Sequence, residues 1–327
     1  MSDPRLCIVG AGALSSRRIY PYIGAAGAIL AGACDLDPAK AERNAGRFGG
    51  KAYTDLDRML DEQKPDGVIL CVGPQGHAAL AQRVLARGFP VYTEKPPAPT
   101  AADALAVARA ARQADLLCMT AFKKRYNTAY TRARRWIEQF PADDRYSISI
   151  DYCSRQYAND APDRMFLFDF AIHVIDLVSY LFGDVAECFA FSKGPDAYAV
   201  SLKFTSGAVG SLNLTDGRSF AIPTEEVELT VRGGNFMTIH NSSVYRITEN
   251  EKPAEWREPP TFTSAGDSGN DTGHLAELVA FVQALAGQTD AVRSSIYDSY
   301  KSMVLYEAIE QSAATGAVVA ASYESLD

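Results

Sequence analysis

The amino-acid sequence predicts an α/β protein of two domains, the first built on a doubly wound parallel sheet. Over the first 120 residues, short apolar runs alternate with helical patterns, and a glycine-rich turn directly follows the first run. After residue 121, strand-like runs instead follow one another with turn residues between them, which is typical of a mostly antiparallel open sheet. We therefore expect one domain at residues 1–121 and a second α/β domain at residues 122–327. The sequence leaves open whether the closing helices pack back on the first domain.

Each element of the first domain has its own signal in the sequence. Glycines 46, 49, 50 and 88 fall where helices should end. Strands are expected at Leu6–Val9, Ile29–Cys34, Val68–Val72, Val91–Thr93 and Leu116–Thr120. Helices are expected at Pro38–Phe48, Leu56–Glu62, Ala78–Arg87 and Ala101–Ala114.

The second domain starts with a basic amphipathic helix and continues into a series of strands. Helices are expected at Thr128–Phe140, Phe166–Phe182, Gly273–Gly287 and Ser295–Thr315. Strands are expected at Tyr146–Tyr152, Glu187–Phe191, Ala197–Phe204, Ala208–Thr215, Glu225–Arg232 and Asn235–His240. Residues 249–272 are rich in Pro, Ser, Gly and charge, and we expect a long surface loop there.

The composition excludes several classes of protein. The formal charge is -8, from 32 basic and 40 acidic residues, which argues against nucleic-acid and membrane-surface partners. The basic run Lys123–Arg125 is interpreted as a solvated helix face, with a specific anion site as the alternative. The six cysteines are scattered and no histidines are closely spaced, so we expect free thiols, no metal site and a cytoplasmic location.

The turn Gly10-Ala11-Gly12-Ala13-Leu14-Ser15 predicts a dinucleotide site. Its first glycine permits a tight turn, and its second lets the backbone approach a pyrophosphate at a helix N-terminus. Ser15 is a small substitute for the third glycine of the usual pattern. The expected contacts at this turn come from Gly10, Gly12, Ala13 and Leu14.

An acidic residue at the end of the second strand indicates which dinucleotide is bound. Asp35 lies 20 residues after Ser15, where a carboxylate accepts ribose hydroxyls and repels a 2′-phosphate. Because Leu36 follows rather than an arginine, NAD is favoured over NADP. The alternative interpretation makes Asp35 a cap or turn residue before Asp37-Pro38.

Further cofactor contacts are expected where two other strands end, because ligands of open α/β sheets gather outside the carboxyl ends of the strands. The residues at these ends are Cys71, Val72, Gly73, His77, Glu94 and Lys95. For Lys95 the alternative is a solvated surface charge, and for His77 it is a cap on the following helix.

Asp169, His173 and Asp176 share one face of an expected helix, because they recur at i, i+4 and i+7. A histidine between two carboxylates in an apolar helix suits general acid–base catalysis. The alternative is a structural Asp–His pair, which explains poorly why three ionisable residues share a face of so apolar a helix.

In these motifs the chain resembles the Gfo/Idh/MocA oxidoreductases, a family that includes glucose–fructose oxidoreductase and inositol dehydrogenase. The resemblance rests on Gly10–Ser15, Asp35, Glu94-Lys95-Pro96, Ala121–Tyr126 and Asp169-x-x-x-His173-x-x-Asp176. It implies a Rossmann domain for cofactor binding, then a domain for substrate binding and oligomerisation with a large open sheet. Members commonly pair through that sheet, so a homodimer or homotetramer is implied.

The resemblance also implies roles for individual residues. Lys95, Asp169 and His173 are the implied catalytic residues, with a Lys95–Pro96 bond that is often cis in the family. The substrate, a sugar or cyclic polyol, is implied to contact Lys95, Lys124, Arg125, Tyr126, Arg164, Asp169, His173 and Asp176. His173 would accept the proton of a secondary alcohol as hydride leaves for the nicotinamide, and Lys95 would stabilise the developing alkoxide.

The chain departs from the family pattern around this helix. Arg164, Met165 and Phe166 replace a glycine-rich approach, and Ala171 replaces an inner glycine. We expect these side chains to narrow the pocket or change its polarity, which argues against inositol or plain glucose as the substrate. Two other functions remain possible on this fold: a non-catalytic NAD- or sugar-sensing protein, and an NAD-using glycoside hydrolase or eliminase with transient oxidation.

Overall fold

The structure, a computed structural model, describes residues 3–154, 165–218, 222–259 and 272–326. The chain divides into two compact units that are discontinuous in sequence. The first unit comprises Met1–Lys123, Gly273–Tyr300 and Leu326–Asp327, and the second comprises Lys124–Thr272 and Lys301–Ser325. Residues 273–300 therefore belong with the amino-terminal part of the chain.

The first unit contains a parallel sheet of six strands in the order β3-β2-β1-β4-β5-β6. This is the strand order of a classic dinucleotide-binding fold. The strands are β1 Arg5–Val9, β2 Ile29–Cys34, β3 Lys51–Tyr53, β4 Gly67–Leu70, β5 Val91–Thr93 and β6 Cys118–Thr120. The helices are α1 Ala13–Arg18, α2 Pro38–Phe48, α3 Leu56–Gln63, α4 Pro74–Ala86 and α5 Ala101–Ala114.

Local sequence explains where these helices begin. The side chains of Asp37, Asp55 and Thr100 cap α2, α3 and α5, each accepting a hydrogen bond from a backbone N–H of the first turn. Helix α4 begins at Pro74 and not at the predicted Ala78. Proline has no N–H to lose at a first helical position, so it starts the helix at no cost.

The second unit contains a nine-stranded sheet in the order β14-β13-β12-β11-β7-β10-β9-β8-β15. Its strands pair antiparallel except β7 with β10, so the predicted fold class is confirmed. The strands are β7 Arg145–Cys153, β8 Val185–Lys193, β9 Ala197–Phe204, β10 Val209–Thr215, β11 Thr224–Val231, β12 Asn235–His240, β13 Val244–Glu249, β14 Lys252–Arg257 and β15 Val319–Ala320.

Alternate residues of these strands are buried, so one face of the sheet packs on the core and the other is open. The unit also contains α6 Thr128–Ile137, α7 Ile172–Phe182 and most of α9 Ile296–Thr315. Phe182 packs on Phe204 of β9, and Ser312 accepts the Ala190 N–H of β8 at 2.9 Å. Helices α7 and α9 therefore pack on the covered face of the sheet.

Two sequence predictions for this unit are corrected by the structure. The loop predicted at 249–272 contains β14 in its described part, an edge strand that tolerates Pro253. The helix predicted at Phe166–Phe182 is not a regular α-helix throughout, because Leu167–Ala171 forms a π-helical segment. Within the described ranges, no helix is long and apolar enough to cross a membrane.

Helix α8 His274–Leu285 brings a buried carboxyl into the first unit. The ring of Phe281 lies 5.7 Å from that of Tyr92 on β5, and Glu277 is buried one helical turn earlier. Burial, with the nearby Glu94 carboxyl as a second cause, raises the pKa of Glu277 well above its ordinary value of 4.5. Glu277 is therefore most stable in its protonated form inside this unit.

Replacing Glu277 by glutamine should make the protein less sensitive to rising pH. A carboxyl whose pKa is higher in the folded state stabilises fully below its unfolded pKa, and that stability is lost as pH rises toward the folded value. Each pH unit in this window costs about 1.4 kcal/mol. Thermal unfolding between pH 5 and 8 should therefore show Glu277→Gln gaining stability over the wild type as pH rises.

Glu42→Gln is the matched control, because Glu42 is an exposed glutamate on α2 of the same unit. It should follow the wild-type curve. Parallel pH curves for Glu277→Gln and the wild type would show that Glu277 is not held protonated.

Candidate active-site residues

The glycine-rich turn after β1 has a backbone that only glycine allows at its first position. Gly10 has φ of +103°, and a Cβ there would lie 2.0 Å from the carbonyl oxygen of Cys71. A Cβ at Gly12 would meet no atom within 4 Å, so the surface above the turn is open. The turn Gly10–Gly12 thus leaves open space at the start of α1, as a bound pyrophosphate requires. We call this turn the cradle.

Asp35 holds this turn in place. One carboxylate oxygen accepts the Ala11 N–H at 2.7 Å, and the other accepts the Asp37 N–H at 3.0 Å. The alternative prediction holds in part, because Asp35 is a turn residue that accepts the N–H two residues on, but the cap of α2 is Asp37, whose side chain accepts the Ala39 N–H. Each oxygen of Asp35 keeps a further lone pair, and the side chain is half-exposed. The predicted ribose contact therefore fits this position.

Exposed apolar side chains surround the cradle at the carboxyl edge of the parallel sheet. Leu36, which follows β2, is 93 % exposed, and Leu14 of α1 and Val72 after β4 are also exposed. Together with the cradle and Asp35, these surfaces fit the diphosphate, sugars and flat rings of NAD. The residues suited to hold it include the predicted Gly10, Gly12, Ala13, Leu14, Asp35, Val72 and Gly73.

Other residues predicted to contact the cofactor point inward. Cys71 is buried, and burial raises the pKa of its thiol well above the ordinary value. Glu94 is also buried, and its carboxylate accepts the Lys95 N–H at 3.1 Å. His77 lies in the core beneath the loop that follows β4. These three side chains therefore pack beneath the loops that follow β4 and β5 and do not reach their surface.

Lys95 is half-exposed at the end of β5, and its bond to Pro96 is cis, as the resemblance implied. The neighbouring Glu94 is buried in the core, so of these two charged residues only Lys95 is accessible at the surface of the loop. A lysine cation at the carboxyl edge of the sheet is suited to stabilise negative charge that develops on a bound ligand.

In the second unit, Asp169 and His173 lie on either side of a change in helix geometry. Asp169 belongs to the π-helical segment and His173 to the first turn of α7. The prediction of a regular α-helical i, i+4 pair therefore does not hold at Asp169, because this residue lies in a π-turn, which is wider than an α-turn. Both side chains are half-exposed. Segments of this kind are frequent at functional sites.

Asp176 is placed differently from the other two, because it is 0 % exposed. Its carboxylate accepts bonds from Arg125 Nε at 2.9 Å and Nη2 at 2.8 Å, and from Ser302 Oγ at 2.9 Å. The guanidinium also lies 5.2 Å from the centre of the Tyr180 ring. The structure thus brings together Arg125 and Asp176, two predicted substrate residues, as a buried ion pair.

Lys124 forms a second buried network. Its ammonium group pairs with Glu225 of β11 and donates to Ser242 Oγ at 3.2 Å, and the Tyr130 hydroxyl also donates to Glu225. Burial alone would raise the pKa of Glu225, but Lys124 and the hydroxyl donors lower it below the ordinary value. The interpretation of this basic run as a solvated face is therefore wrong for Lys124 and Arg125.

The remaining predicted residues are distributed between core and surface. Arg164 lies outside the described residues, and Tyr126 is buried. Phe166 and Ala171 are buried in the core, where Phe166 stacks on Tyr152 with ring centres 6.1 Å apart. Met165, which precedes Phe166 in the segment before α7, is exposed. No cluster of potential metal ligands occurs among the residues that the structure describes.

Sequence reasoning did not identify Glu225, Tyr130 or Ser302 as partners of predicted site residues. Glu225 lies 101 positions from Lys124, and Ser302 lies 126 positions from Asp176. No local periodicity links residues so far apart. The only available signal was charge, since a buried lysine or arginine requires an acidic partner.

The curated proteins that the chain resembles include sugar and polyol dehydrogenases. D-apiose dehydrogenase of Rhizobium rhizogenes is 24 % identical, with 98 % of each chain covered. Inositol 2-dehydrogenase 2 of Paenarthrobacter aurescens is 23 % identical, over 94 % of this chain and 95 % of the relative. Among solved structures, a levoglucosan dehydrogenase in complex with NADH and L-sorbose has a TM-score of 0.85 at 20 % identity, covering 99 % of this chain and 100 % of that one.

Two family models match the chain in consecutive segments. Residues 5–122 match the NAD-binding Rossmann fold of an oxidoreductase family, and residues 145–321 match the C-terminal alpha/beta domain of the same family. These segments cover most of the chain and agree with the sheets of the two units. The chain belongs to the Gfo/Idh/MocA family of NAD-binding oxidoreductases.

Proposed function

We propose that the protein oxidises a secondary alcohol of a sugar, sugar derivative or cyclic polyol with NAD, and that His173 is the general base. The observation that carries this proposal is the exposure pattern of α7. Between Ala171 and Val178, all of which the structure describes, only His173 is not buried. A titratable side chain presented from the otherwise buried stretch between Ala171 and Val178 is positioned for chemistry, not for solubility.

His173 accepts the hydroxyl proton through a ring nitrogen of its imidazole. Asp169, in the π-helical turn before His173, stabilises the protonated ring through its negative charge. The half-exposed position of both residues leaves them accessible to a substrate while the apolar helix behind them stays fixed. General-base assistance of this kind contributes about 10²–10⁴-fold to rate.

Lys95 supplies positive charge to the oxygen that loses the proton. A cation near this oxygen lowers the pKa of the alcohol and stabilises developing alkoxide. The backbone of the lysine is fixed by Glu94, which accepts its N–H at 3.1 Å. When bound, NAD supplies the acceptor for the hydride that leaves the same carbon.

Arg125 and Asp176 act by position and not by touching substrate. Their buried, bidentate ion pair joins the 3₁₀ turn Lys123–Tyr126 to α7, and Ser302 of α9 donates a third bond. Asp176 lies three residues after His173, so this network fixes the rotation of the helix about its axis. The angle at which His173 emerges depends on that rotation.

The names of the relatives support a polyol or sugar as substrate. Those relatives are D-apiose and inositol dehydrogenases, and a solved neighbour holds NADH with L-sorbose. No described feature favours a sensing protein or an NAD-using hydrolase or eliminase over a dehydrogenase. The six free cysteines support a reducing location such as the cytoplasm.

A second copy of the chain is proposed to cover the open face of the nine-stranded sheet. Cross-strand pairing places Phe189, Phe191 and Trp256 on this face, with Phe191 67 % and Trp256 65 % exposed. Ser149, Ser201 and Ser211, together with Phe189 and Phe191, line an open pocket of about 320 Å³ in the sheet. Exposed aromatic rings beside small side chains are the surface that a symmetric partner would bury.

His173→Ala should lower turnover by about 10²–10⁴-fold, because it removes the proton acceptor. NAD affinity should stay within about twofold, a difference well under 1 kcal/mol. Turnover is measured as NADH absorbance with a panel that includes D-apiose, myo-inositol and L-sorbose, and affinity is measured by fluorescence titration. His240→Ala, at an exposed histidine of β12, is the matched control and should behave as the wild type. Undiminished turnover by His173→Ala would remove the residue from the mechanism.

Asp35→Asn should shift cofactor preference toward NADP. Asparagine retains an oxygen for the Ala11 N–H but removes the charge that repels a 2′-phosphate. The ratio of the NADP dissociation constant to that for NAD should fall by about tenfold, which is about 1.4 kcal/mol. Asp37→Asn makes the same charge change two residues away and should leave the ratio unchanged. Equal shifts in both variants would indicate a general charge effect and not a specific role of Asp35.

Phe191→Asp should reduce the mass of the protein in solution toward that of a single chain, because it places a charge in the proposed apolar contact. Light scattering coupled to gel filtration measures this mass. Val318→Asp makes the same kind of change at a residue that is 60 % exposed outside the paired strands, and it should leave the mass unchanged. A wild-type protein that is monomeric at micromolar concentration would disprove the proposed pairing.

A further inference from the structure

His77 joins two loops of the first unit that follow neighbouring strands. It is 1 % exposed, and its ring lies between the loop after β4 and the loop after β5. Nε2 accepts the Val72 N–H at 3.3 Å, and Nδ1 lies 2.7 Å from the carbonyl oxygen of Pro96. One side chain therefore contacts the backbone of both loops.

We propose that His77 is a positioning residue that sets the cofactor loop through Val72 and the Lys95 loop through Pro96. This inference rests on the proposed function for what the two loops do, namely hold NAD and present the lysine. The bridge itself is a property of the structure. Its two hydrogen bonds reach different loops, so the two bonds have separable consequences.

The chemistry of the two partners requires one form of the ring. An amide N–H only donates, so Nε2 must accept, and a carbonyl only accepts, so Nδ1 must carry a proton. Only the neutral imidazole protonated at Nδ1 meets both conditions. Burial, as the main cause, lowers the pKa of His77 to about 4, so the neutral ring is the stable form.

The hydrogen bond to Pro96 is important because the backbone of a proline residue can form few other hydrogen bonds. Pro96 has no N–H, so its carbonyl is its only backbone group able to form a conventional hydrogen bond. This carbonyl follows Lys95 directly in the chain, and the intervening bond is cis. Fixing the carbonyl from below therefore limits where the lysine backbone can move.

The bond to Val72 acts on the other loop. The side chain of Val72 is exposed while its N–H points inward to His77. Val72 also lies beside the turn at Gly10, whose hypothetical Cβ would be 3.4 Å from a methyl group of Val72. The hydrogen bond from Val72 N–H to His77 therefore fixes the position of the Val72 side chain beside the glycine-rich turn.

The ring reaches both loops because α4 begins immediately after the first of them. His77 is the fourth residue of α4, and its own N–H donates to the Gly73 carbonyl at 3.2 Å. Its backbone is therefore fixed by the first helical turn. The interpretation of His77 as a helix cap is wrong, because its ring bonds to the two loops and not to the free N–H groups of α4.

Two substitutions separate the two bonds. In His77→Asn, the amide nitrogen takes the place of Nδ1 and still donates to Pro96, while nothing reaches Val72. In His77→Gln, the amide oxygen takes the place of Nε2 and accepts from Val72, while the bond to Pro96 is lost. His77→Phe keeps the volume and loses both bonds. Val84→Ala, at a buried residue of α4, is the control for lost stability alone.

The expected results differ between the variants. A lost neutral hydrogen bond corresponds to an effect of about three- to tenfold. His77→Asn should raise the dissociation constant for NAD by this factor and keep kcat at saturating NAD. His77→Gln should keep NAD affinity and lower kcat by the same factor. His77→Phe should show both effects, and Val84→Ala should lower Tm and show neither.

The proposal would be overturned if the asparagine and glutamine variants lost affinity and kcat together, in proportion to their loss in Tm. Hydrogen exchange of the Val72 amide tests the bridge without any substrate, and its protection should fall in His77→Asn but persist in His77→Gln. Unaltered protection in His77→Asn would also overturn the proposal. If the wild type oxidises no polyol, the exchange and NAD-binding results still decide the bridge, so the two failures are distinguishable.

Discussion

The buried pair of Arg125 and Asp176 is the interaction on which the second unit most depends. Both side chains have lost their water, and each satisfies the other through two hydrogen bonds, with Ser302 as a third donor to the carboxylate. Such a pair adds little stability over a well-packed apolar pair, but removing one member costs about 3–5 kcal/mol, because the other charge stays buried. The pair therefore acts as a strict geometric condition, since α7 must dock where the guanidinium finds its carboxylate.

That condition gives α7 its functional character. An entirely apolar helix can rotate or slide against a sheet at modest cost, because hydrophobic contact is not directional. A bidentate ion pair is directional, and it sits one turn from His173. The π-helical segment before α7 inserts its wider turn at the end that carries Asp169. The helix is thus fixed at Asp176 and irregular at Asp169, with the proposed base between them.

The sequence was sufficient to predict the features that depend on local pattern. Alternation of strands and helices, the bounds of α2 and α5, and the glycine turn all depend on patterns within a few residues, and each was predicted from the sequence. Strand β14 was missed because its charge and its proline resemble a loop, and only an edge position makes that composition compatible with a strand.

The roles of buried charges could not be predicted in the same way. Lys124 and Arg125 look like surface residues in any window of sequence, and their acidic partners lie far along the chain. Lys124 and Arg125 can be buried because Lys124 pairs with Glu225 and Arg125 pairs with Asp176. Only the folded chain brings these partners together. The spacing of Asp169, His173 and Asp176 was interpreted as one functional face of an apolar helix, but Asp176 is buried and Asp169 lies in a π-turn. The role inferred for Asp176 changed because its carboxylate pairs with Arg125 inside the second unit.

The first unit uses burial differently, because it suppresses charge around Lys95. Burial raises the pKa of Glu94 and Glu277, and it lowers the pKa of His77 to about 4 and of His274 to about 2. All four shifts favour the neutral form of the group. Desolvation makes an uncompensated charge costly, so the core around this loop contributes hydrogen bonds and little opposing charge. Lys95 is half-exposed and stands at the edge of that core. Burial in this core therefore favours neutral groups beneath the loop that carries the lysine.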